Sequence, residues 1–178
     1  MENYAVFLRG INVGGINIKM ADLRSALKDQ PFTQVKTLLA SGNVVLQSEL
    51  TPAKVKSGFE KCLRDSFGYD AWVVVLTAGR VGELVAACPY PADDKSTHSY
   101  VTLASDAAML DELVEAGQAL DSVELTRLGP EALAWLAPAG GTLDSPFSKL
   151  TAKARYKAGT TTRNLRTLIK VRDAAASL

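Results

Sequence analysis

The order of apolar and polar residues at the start of the chain predicts a strand followed by a helix. Residues 4–8 (YAVFL) form a short apolar run of the kind found in a buried strand. Further on, Met20, Leu23 and Leu27 recur at helical spacing with charged residues between them. Asn17 is a candidate N-cap for this helix, because its side-chain oxygen can accept a free backbone N–H.

A hairpin is predicted after this helix. Residues 34–40 (QVKTLLA) and 43–48 (NVVLQS) have the composition of two strands. They are joined at Ser41-Gly42-Asn43, where glycine and asparagine can supply the positive φ that a tight turn requires.

The rest of the chain predicts one more strand of this set and then a second, similar set of elements. The first set is completed by a helix opened by Thr51-Pro52, a strand over 71–76 (AWVVVL) with Trp72 as a core residue, and a short helix over 81–87. A linker over 89–97 follows. The second set consists of a strand over 98–104, a helix over 107–120, a hairpin formed by 122–128 and 131–137, and a helical region from Pro146. Trp135, in the second hairpin, is likewise predicted to lie in the core.

The element order predicts an α+β fold made of two halves. Strand, helix, strand, strand, helix, strand is the order of a ferredoxin-like unit, in which helices cover one face of an antiparallel sheet. The order recurs in part after the linker, so we expect two ferredoxin-like halves with antiparallel or mixed sheets. The predicted boundaries are residues 1–90 for the first half and 97–178 for the second, which ends in a basic helix.

Composition is that of an ordinary globular protein. Of 178 residues, 47% are hydrophobic and 22% are charged, and no apolar run reaches the ~18 residues that a membrane span needs. The first residues lack the pattern of a signal peptide, which favours a cytoplasmic protein. The two cysteines, Cys62 and Cys88, lie far apart and are expected to be free thiols.

Charge is distributed unevenly along the chain. Residues 1–82 hold ten Lys and Arg against seven Asp and Glu, residues 83–144 hold two against eleven, and residues 145–178 hold eight against one. The basic C-terminal stretch fits either an internally paired or solvated face, or an anion-binding surface. Both interpretations stay open.

Strand direction predicts that the glycine-rich segment after the first strand and the Ser41–Asn43 hairpin share one edge of the sheet. A crossover returns the chain so that the first and second strands run parallel and end at the same edge. This would gather a cation, amides and flexible backbone in one place, at Arg9, Asn12, Gly14, Gly15, Asn17, Ser41, Gly42 and Asn43. The segment matches neither the dinucleotide fingerprint nor a P-loop. A simple turn and a ligand-binding loop are therefore both consistent with it.

The segment TTTRNLRTLIK near the C-terminus predicts an amphipathic helix. Thr160–Thr162 would supply its N-cap, and Leu165 and Leu168 would face inward. Arg163 would then lie in the first turn, where a cation is unfavourable with the helix dipole, so an acidic side chain or an external anion is its expected partner.

Other searches for chemistry give little. The single histidine, His98, has no pattern of a catalytic triad around it, and no spacing of ligands predicts a metal site or a cofactor. A net charge of +1 and the scarcity of aromatic residues among the C-terminal basic residues do not favour nucleic-acid binding.

Three stretches together resemble a known family. YAVFLRGINVGGINIKMADLRSAL, LLASGNVVLQS and TTTRNLRTLIK, in this order, are similar to the bacterial family catalogued as domain of unknown function 1697. The resemblance implies a two-part α+β fold with ferredoxin-like character, a cytosolic bacterial protein and no established activity. The family's motif stretches correspond here to Arg9, Gly10, Asn12, Gly14, Gly15 and Met20, to Ser41, Gly42 and Asn43, and to Thr162, Arg163 and Asn164. Family members often carry an aromatic residue where this chain has Leu165.

The leading functional hypothesis is a binding module for an anionic small molecule or a phosphate-bearing partner. Its site would combine the glycine loop, the hairpin and the segment Thr162–Asn164, and Arg163→Ala would abolish binding with little loss of fold. One alternative is a small enzyme of transferase or hydrolase type with Ser41 as nucleophile or donor. Another is a protein-interaction module without a small-molecule ligand.

Overall fold

The computed structural model describes residues 1–9 and 17–178. In the first part of the chain the elements are β1 (Glu2–Leu8), α1 (Met20–Ala26) continued by a 3-10 turn (Leu27–Asp29), β2 (Thr33–Leu38), β3 (Asn43–Ser48), α2 (Pro52–Phe67), β4 (Val73–Thr77) and α3 (Ala78–Ala87). The second part contains β5 (Thr97–Ala104), α4 (Ala107–Gln118), β6 (Leu125–Gly129), β7 (Ala132–Pro138), α5 (Pro146–Thr151), α6 (Ala154–Lys157), β8 (Thr160–Asn164) and α7 (Leu165–Ala176).

The strands form two four-stranded sheets with the same layout. The orders are β2-β3-β1-β4 and β6-β7-β5-β8, and all neighbouring strands are antiparallel. Since β1 and β2 both run antiparallel to β3, they run parallel to each other, as the crossover argument predicted. The prediction of two similar α+β halves is thus confirmed for the sheets and the element order.

The chain divides into two compact units. Unit 1 comprises Met1–Gly82 and Lys170–Leu178, and unit 2 comprises Glu83–Ile169. Each unit contains one sheet.

The core of unit 1 lies between its sheet and the helices α1 and α2. The sheet contributes Val6 and Leu46, which are fully buried, and α2 contributes Phe59 and Leu63, also fully buried. Burying one such side chain stabilises the fold by about 1.5–3 kcal/mol. Phe32 packs on Phe59 with ring centroids 6.3 Å apart.

The core of unit 2 is built around Trp135. Its ring stacks on Tyr100 at 4.8 Å and meets Phe147 edge-on at 5.1 Å. The indole Nε1 donates to Thr102 Oγ1 at 3.0 Å, so the buried polar atom is satisfied. The prediction of Trp135 as core is confirmed.

Three local predictions are wrong. The N-cap of α1 is Lys19 rather than Asn17, which is exposed and lies two residues earlier. Thr160–Asn164 form the strand β8 instead of a helix start, because their backbone pairs with β5 along its length. Trp72 precedes β4 and is half-buried, so it is not a core residue.

Both cysteines are free, with Cys62 buried and Cys88 half-buried. Within the described ranges, every helix is too short or too polar to cross a bilayer.

Candidate functional site

One edge of the unit 1 sheet brings together the end of β1, the β2–β3 turn and the start of β4. Leu8 pairs with Val73 on one side, and Phe7 pairs with Asn43 on the other. The Leu8 N–H donates to the Gly42 carbonyl at 2.8 Å. We call this edge the first rim, and its described members are Arg9, Ser41, Gly42, Asn43, Tyr69 and Trp72.

Arg9 occupies the middle of the first rim and is held by two aromatic residues. Its guanidinium carbon lies 5.8 Å from the centroid of the Trp72 ring, within the range of a cation–π contact. Its carbonyl accepts a hydrogen bond from the Tyr69 hydroxyl. Burial raises the pKa of the Tyr69 phenol, so its hydroxyl remains a donor to a higher pH than that of an exposed tyrosine. Arg9 itself is half-buried.

Trp72 is in turn fixed by a charged pair on α2. Lys56 Nζ lies 5.5 Å from the ring centroid, contacts Glu60 Oε1 at 2.6 Å and donates to the Val73 carbonyl at 2.5 Å. The same Glu60 oxygen accepts from the Val73 N–H at 3.0 Å. These contacts tie α2 to the first residue of β4, next to which the indole lies.

The β2–β3 turn is closed by the side chain of Asn43. Its Nδ2 donates to the Leu38 carbonyl and to Ser41 Oγ, each at 2.9 Å, and the residue is fully buried. Positive φ is found at Gly42 (79°) and at Leu39 (59°). The prediction of a positive φ is confirmed for Gly42 and wrong for Asn43, which is already the first residue of β3.

Ser41 is exposed, and its hydroxyl accepts from the Asn43 amide. An amide N–H cannot remove the hydroxyl proton, so this contact does not activate Ser41 as a nucleophile.

Three of the predicted site residues, Asn12, Gly14 and Gly15, fall outside the described residues, as does Gly10 of the family motif. Asn17 is the first described residue after them and is exposed.

The three C-terminal site residues lie on β8 in unit 2. Thr162 Oγ1 is 2.8 Å from Thr102 Oγ1, in the hydrogen-bonded chain that includes Trp135. Asn164 Oδ1 accepts from the Arg166 N–H at 2.9 Å and so caps the start of α7.

Arg163 is buried, with 6% of its surface exposed, and is not in a helical turn. Its Nη1 donates to Thr161 Oγ1 at 2.7 Å and to the Thr162 carbonyl at 3.0 Å. Burial lowers the pKa of the guanidinium to about 10, because the charged form is desolvated. Replacing so buried a side chain is therefore expected to cost stability, contrary to the expectation from sequence of little loss of fold.

The structure thus brings Arg9 and the turn residues together within unit 1, and it places Thr162, Arg163 and Asn164 in unit 2. Sequence reasoning missed Tyr69 and Trp72. Trp72 could have been found from strand order, since the residue before β4 lies opposite the end of β1.

The residue types that bind metals, and the histidine, form no further candidate site among the described residues. In the described part of the chain, no three His, Cys, Asp or Glu side chains are grouped so that they could hold a metal ion. His98 is half-buried and lies 6.4 Å from the Tyr100 ring, measured between centroids.

Comparison with known proteins gives a family and a fold. The family model described as "Protein of unknown function (DUF1697)" matches residues 1–130. No curated protein matches the chain. A solved structure of a conserved bacterial protein from Streptococcus pneumoniae superimposes with a TM-score of 0.81, covers 98% of both chains and shares 19% sequence identity. At this identity the likeness concerns the fold.

Proposed function

Since the chain belongs to the DUF1697 family of proteins of unknown function, we propose its function from its own residues: the first rim binds an anionic small molecule or a phosphate-bearing partner. The observation that carries this proposal is the position of Arg9. Its guanidinium rests on the half-buried Trp72 ring, and its backbone is tied to Tyr69.

Such a held arginine suits anion binding for two reasons. The planar guanidinium presents paired N–H donors that match the oxygens of a carboxylate or phosphate. A side chain already held by a ring also loses less conformational entropy on binding than a free one. The exposed Ser41 hydroxyl, on the turn beside Leu8, is a second polar group within the same rim.

The proposal also covers the extent of the site, the cellular location and the domain assignment. We propose that Asn12, Gly14, Gly15 and Asn17 extend the site. We also propose a cytoplasmic protein with ferredoxin-like halves over residues 1–90 and 97–178. The strand order β2-β3-β1-β4, repeated as β6-β7-β5-β8, supports the ferredoxin-like assignment.

A thermal-shift screen tests the proposal. Inorganic phosphate, pyrophosphate, sugar phosphates, nucleotides, small carboxylic acids and short oligonucleotides would be added to the wild type and to Arg9→Ala. A ligand at a hundred times its Kd stabilises the native state by about 2.7 kcal/mol, which raises the unfolding temperature by several degrees. We expect one chemical class to raise it in the wild type only.

Arg155→Ala is the matched control, because Arg155 is 69% exposed and pairs with Glu112 in unit 2. It should respond to the ligand as the wild type does. A shift that survives in Arg9→Ala would place the anion elsewhere, and the absence of any shift would favour the protein-interaction alternative.

A further inference from the structure

A cavity elsewhere in unit 1 has the character of a binding site and shares no residue with the first rim. It is a groove of about 500 Å³ between α1, with its 3-10 turn, and the edge strand β2. Its lining residues are Ala21, Arg24, Ser25, Leu27, Lys28, Phe32, Gln34 and Val35. The volume lies within the ~300–1,000 Å³ usual for small-molecule sites.

The helical wall of the groove alternates small and cationic residues. Ala21, Arg24, Ser25 and Lys28 are spaced i, i+3, i+4, i+7, so they share one face. The small side chains leave space between the two cations. Acidic neighbours lie off this face, since Asp22 and Asp29 are not among the lining residues.

The opposite wall holds Arg24 in place. Its Nη1 donates to Thr37 Oγ1 on β2, a contact that uses one of the five guanidinium N–H groups. The strand bulges between Thr33 and Lys36, with Gln34 at φ 52°. This irregularity places Gln34 and Val35 in the lining.

The floor of the groove is apolar. Leu27 is fully buried and Phe32 is 7% exposed, while the Phe32 ring is fixed against Phe59. Val35 adds a half-buried aliphatic surface. A ligand that fits this groove therefore needs an apolar body for the floor and a negative group for the helical wall.

We propose that this groove binds a small amphipathic anion, with its ring or short chain on Phe32 and Val35 and its carboxylate, sulfonate or phosphate between Arg24 and Lys28. The groove and the first rim would be separate sites of unit 1. Neither proposal depends on the other.

8-Anilinonaphthalene-1-sulfonate is a suitable probe, because it combines an aromatic body with one sulfonate and fluoresces when it leaves water. Its Kd would be measured on the wild type and on Arg24→Gln/Lys28→Gln. Loss of two charged contacts should weaken binding at least about tenfold. The matched control is Lys54→Gln/Lys61→Gln, which removes two exposed cations from α2 in the same unit and should leave Kd within about twofold.

A second variant tests the apolar part without changing charge. Ala21→Leu replaces an exposed residue with one that fills the groove, so it should weaken binding while the circular dichroism spectrum stays the same. Equal Kd values in the wild type, the double glutamine variant and Ala21→Leu would overturn the proposal. Displacement of the probe by phenyl phosphate or decanoate would support it, whereas displacement only by an acidic peptide would overturn the small-molecule assignment.

Discussion

The two halves of the molecule begin their sheets in the same way and then use the same edge differently. In unit 1 the N–H at the end of β1, from Leu8, donates to the Gly42 carbonyl of the hairpin at 2.8 Å. In unit 2 the N–H at the end of β5, from Ala104, donates to the Glu131 carbonyl at 3.0 Å. We call the latter edge the second rim, with Ala104, Asp106, Arg127, Glu131 and Gly159 as its members.

At the second rim, side chains of the rim residues bind neighbouring backbone groups and charges. Only residues 105–106 connect β5 to α4, and Asp106 caps that helix by accepting the Ala108 N–H at 2.9 Å. Arg127 donates to the Gly129 carbonyl at 2.5 Å and contacts Asp111 at 2.6 Å. A Cβ at Gly159 would overlap the sulfur and terminal methyl of Met109, so these two residues pack closely at this edge.

The first rim has a longer connection and an arginine on an indole. Residues 9–19 lead from β1 to α1, and the Arg9 guanidinium lies over the Trp72 ring. The same sheet order therefore supports one edge organised for stability and another that presents a held cation. Arg163 of unit 2 differs from Arg9 in burial, since Arg163 is buried on β8 whereas Arg9 is half-buried.

The largest expected effect concerns Arg163. Arg163→Ala should lower the free energy of unfolding by about 2–4 kcal/mol, because it leaves a cavity and removes the donor to Thr161 and to the Thr162 carbonyl. Arg163→Met, which keeps the length of the stem, should recover part of this loss. Urea unfolding measures both, and an Arg163→Ala loss below about 0.5 kcal/mol would show that the side chain is not buried.

The lowered pKa of Arg163 also predicts a pH dependence. Between about pH 10 and the ordinary guanidinium value of 12.5, the unfolded state binds more protons at this residue than the folded state. The contribution of Arg163 to stability should therefore rise with pH in that range. Urea unfolding at pH 9 and pH 11 should show the wild type gaining about 1 kcal/mol relative to Arg163→Met. A difference that does not change between these pH values would contradict the burial argument.

Arg127 and Arg9 give the most direct contrast between the rims. Arg127→Ala should cost about 2 kcal/mol, because it removes the charged donor to the part-buried Gly129 carbonyl and to the exposed Pro130 carbonyl. Arg9→Ala should cost less, because the side chain is half-buried and rests on an indole in a cation–π contact, a type worth about 0.5–1 kcal/mol at exposed sites. Urea unfolding in the same buffer compares them, and the reverse order would make the first rim the structural one.

Two substitutions in the β2–β3 turn should lower stability by different, smaller amounts. Asn43→Ala should cost about 1–2 kcal/mol, since the buried amide satisfies the Leu38 carbonyl and binds Ser41 Oγ. Ser41→Ala should change stability by less than about 0.5 kcal/mol because Ser41 is exposed. If chemical denaturation gave similar losses for the two variants, Ser41 would be part of the turn's structure.

The last contrast concerns the residues that start α1 and α4. Asp106→Ala should cost about 1 kcal/mol through loss of the cap of α4. Lys19→Ala should have almost no effect, because the N-cap residue of α1 makes no side-chain capping bond. Differential scanning calorimetry would compare them, and a larger loss from Lys19→Ala would count against the contrast between the two connections.

The apolar patterns predicted the fold well where the strands are apolar. The predicted limits of β3 coincide with the observed ones, and strand directions placed Arg9 beside the Ser41–Asn43 turn. β8 was missed because Thr160–Asn164 is polar, and a threonine run suits an N-cap as well as a strand.

The site was less predictable for a related reason. Trp72 adjoins the apolar strand β4, so its hydrophobicity suggested the core, whereas its place before the first paired residue leaves it half-buried beside Arg9. Similarly, the sequence predicts Arg163 in the first turn of a helix, because pairing of β8 with β5 depends on contacts distant in sequence. Local pattern does not contain that information.

The most direct test of the central claim, that the first rim attracts anions, is quenching of tryptophan fluorescence by iodide and by caesium at matched ionic strength. Trp135 is 2% exposed, so the accessible signal comes from Trp72. With each quenching constant divided by that of free N-acetyltryptophanamide for the same ion, we expect a larger ratio for iodide than for caesium in the wild type, and a much smaller difference in Arg9→Ala. Equal normalised ratios for the two ions in the wild type, or an iodide preference unchanged in Arg9→Ala, would contradict an anion-attracting first rim.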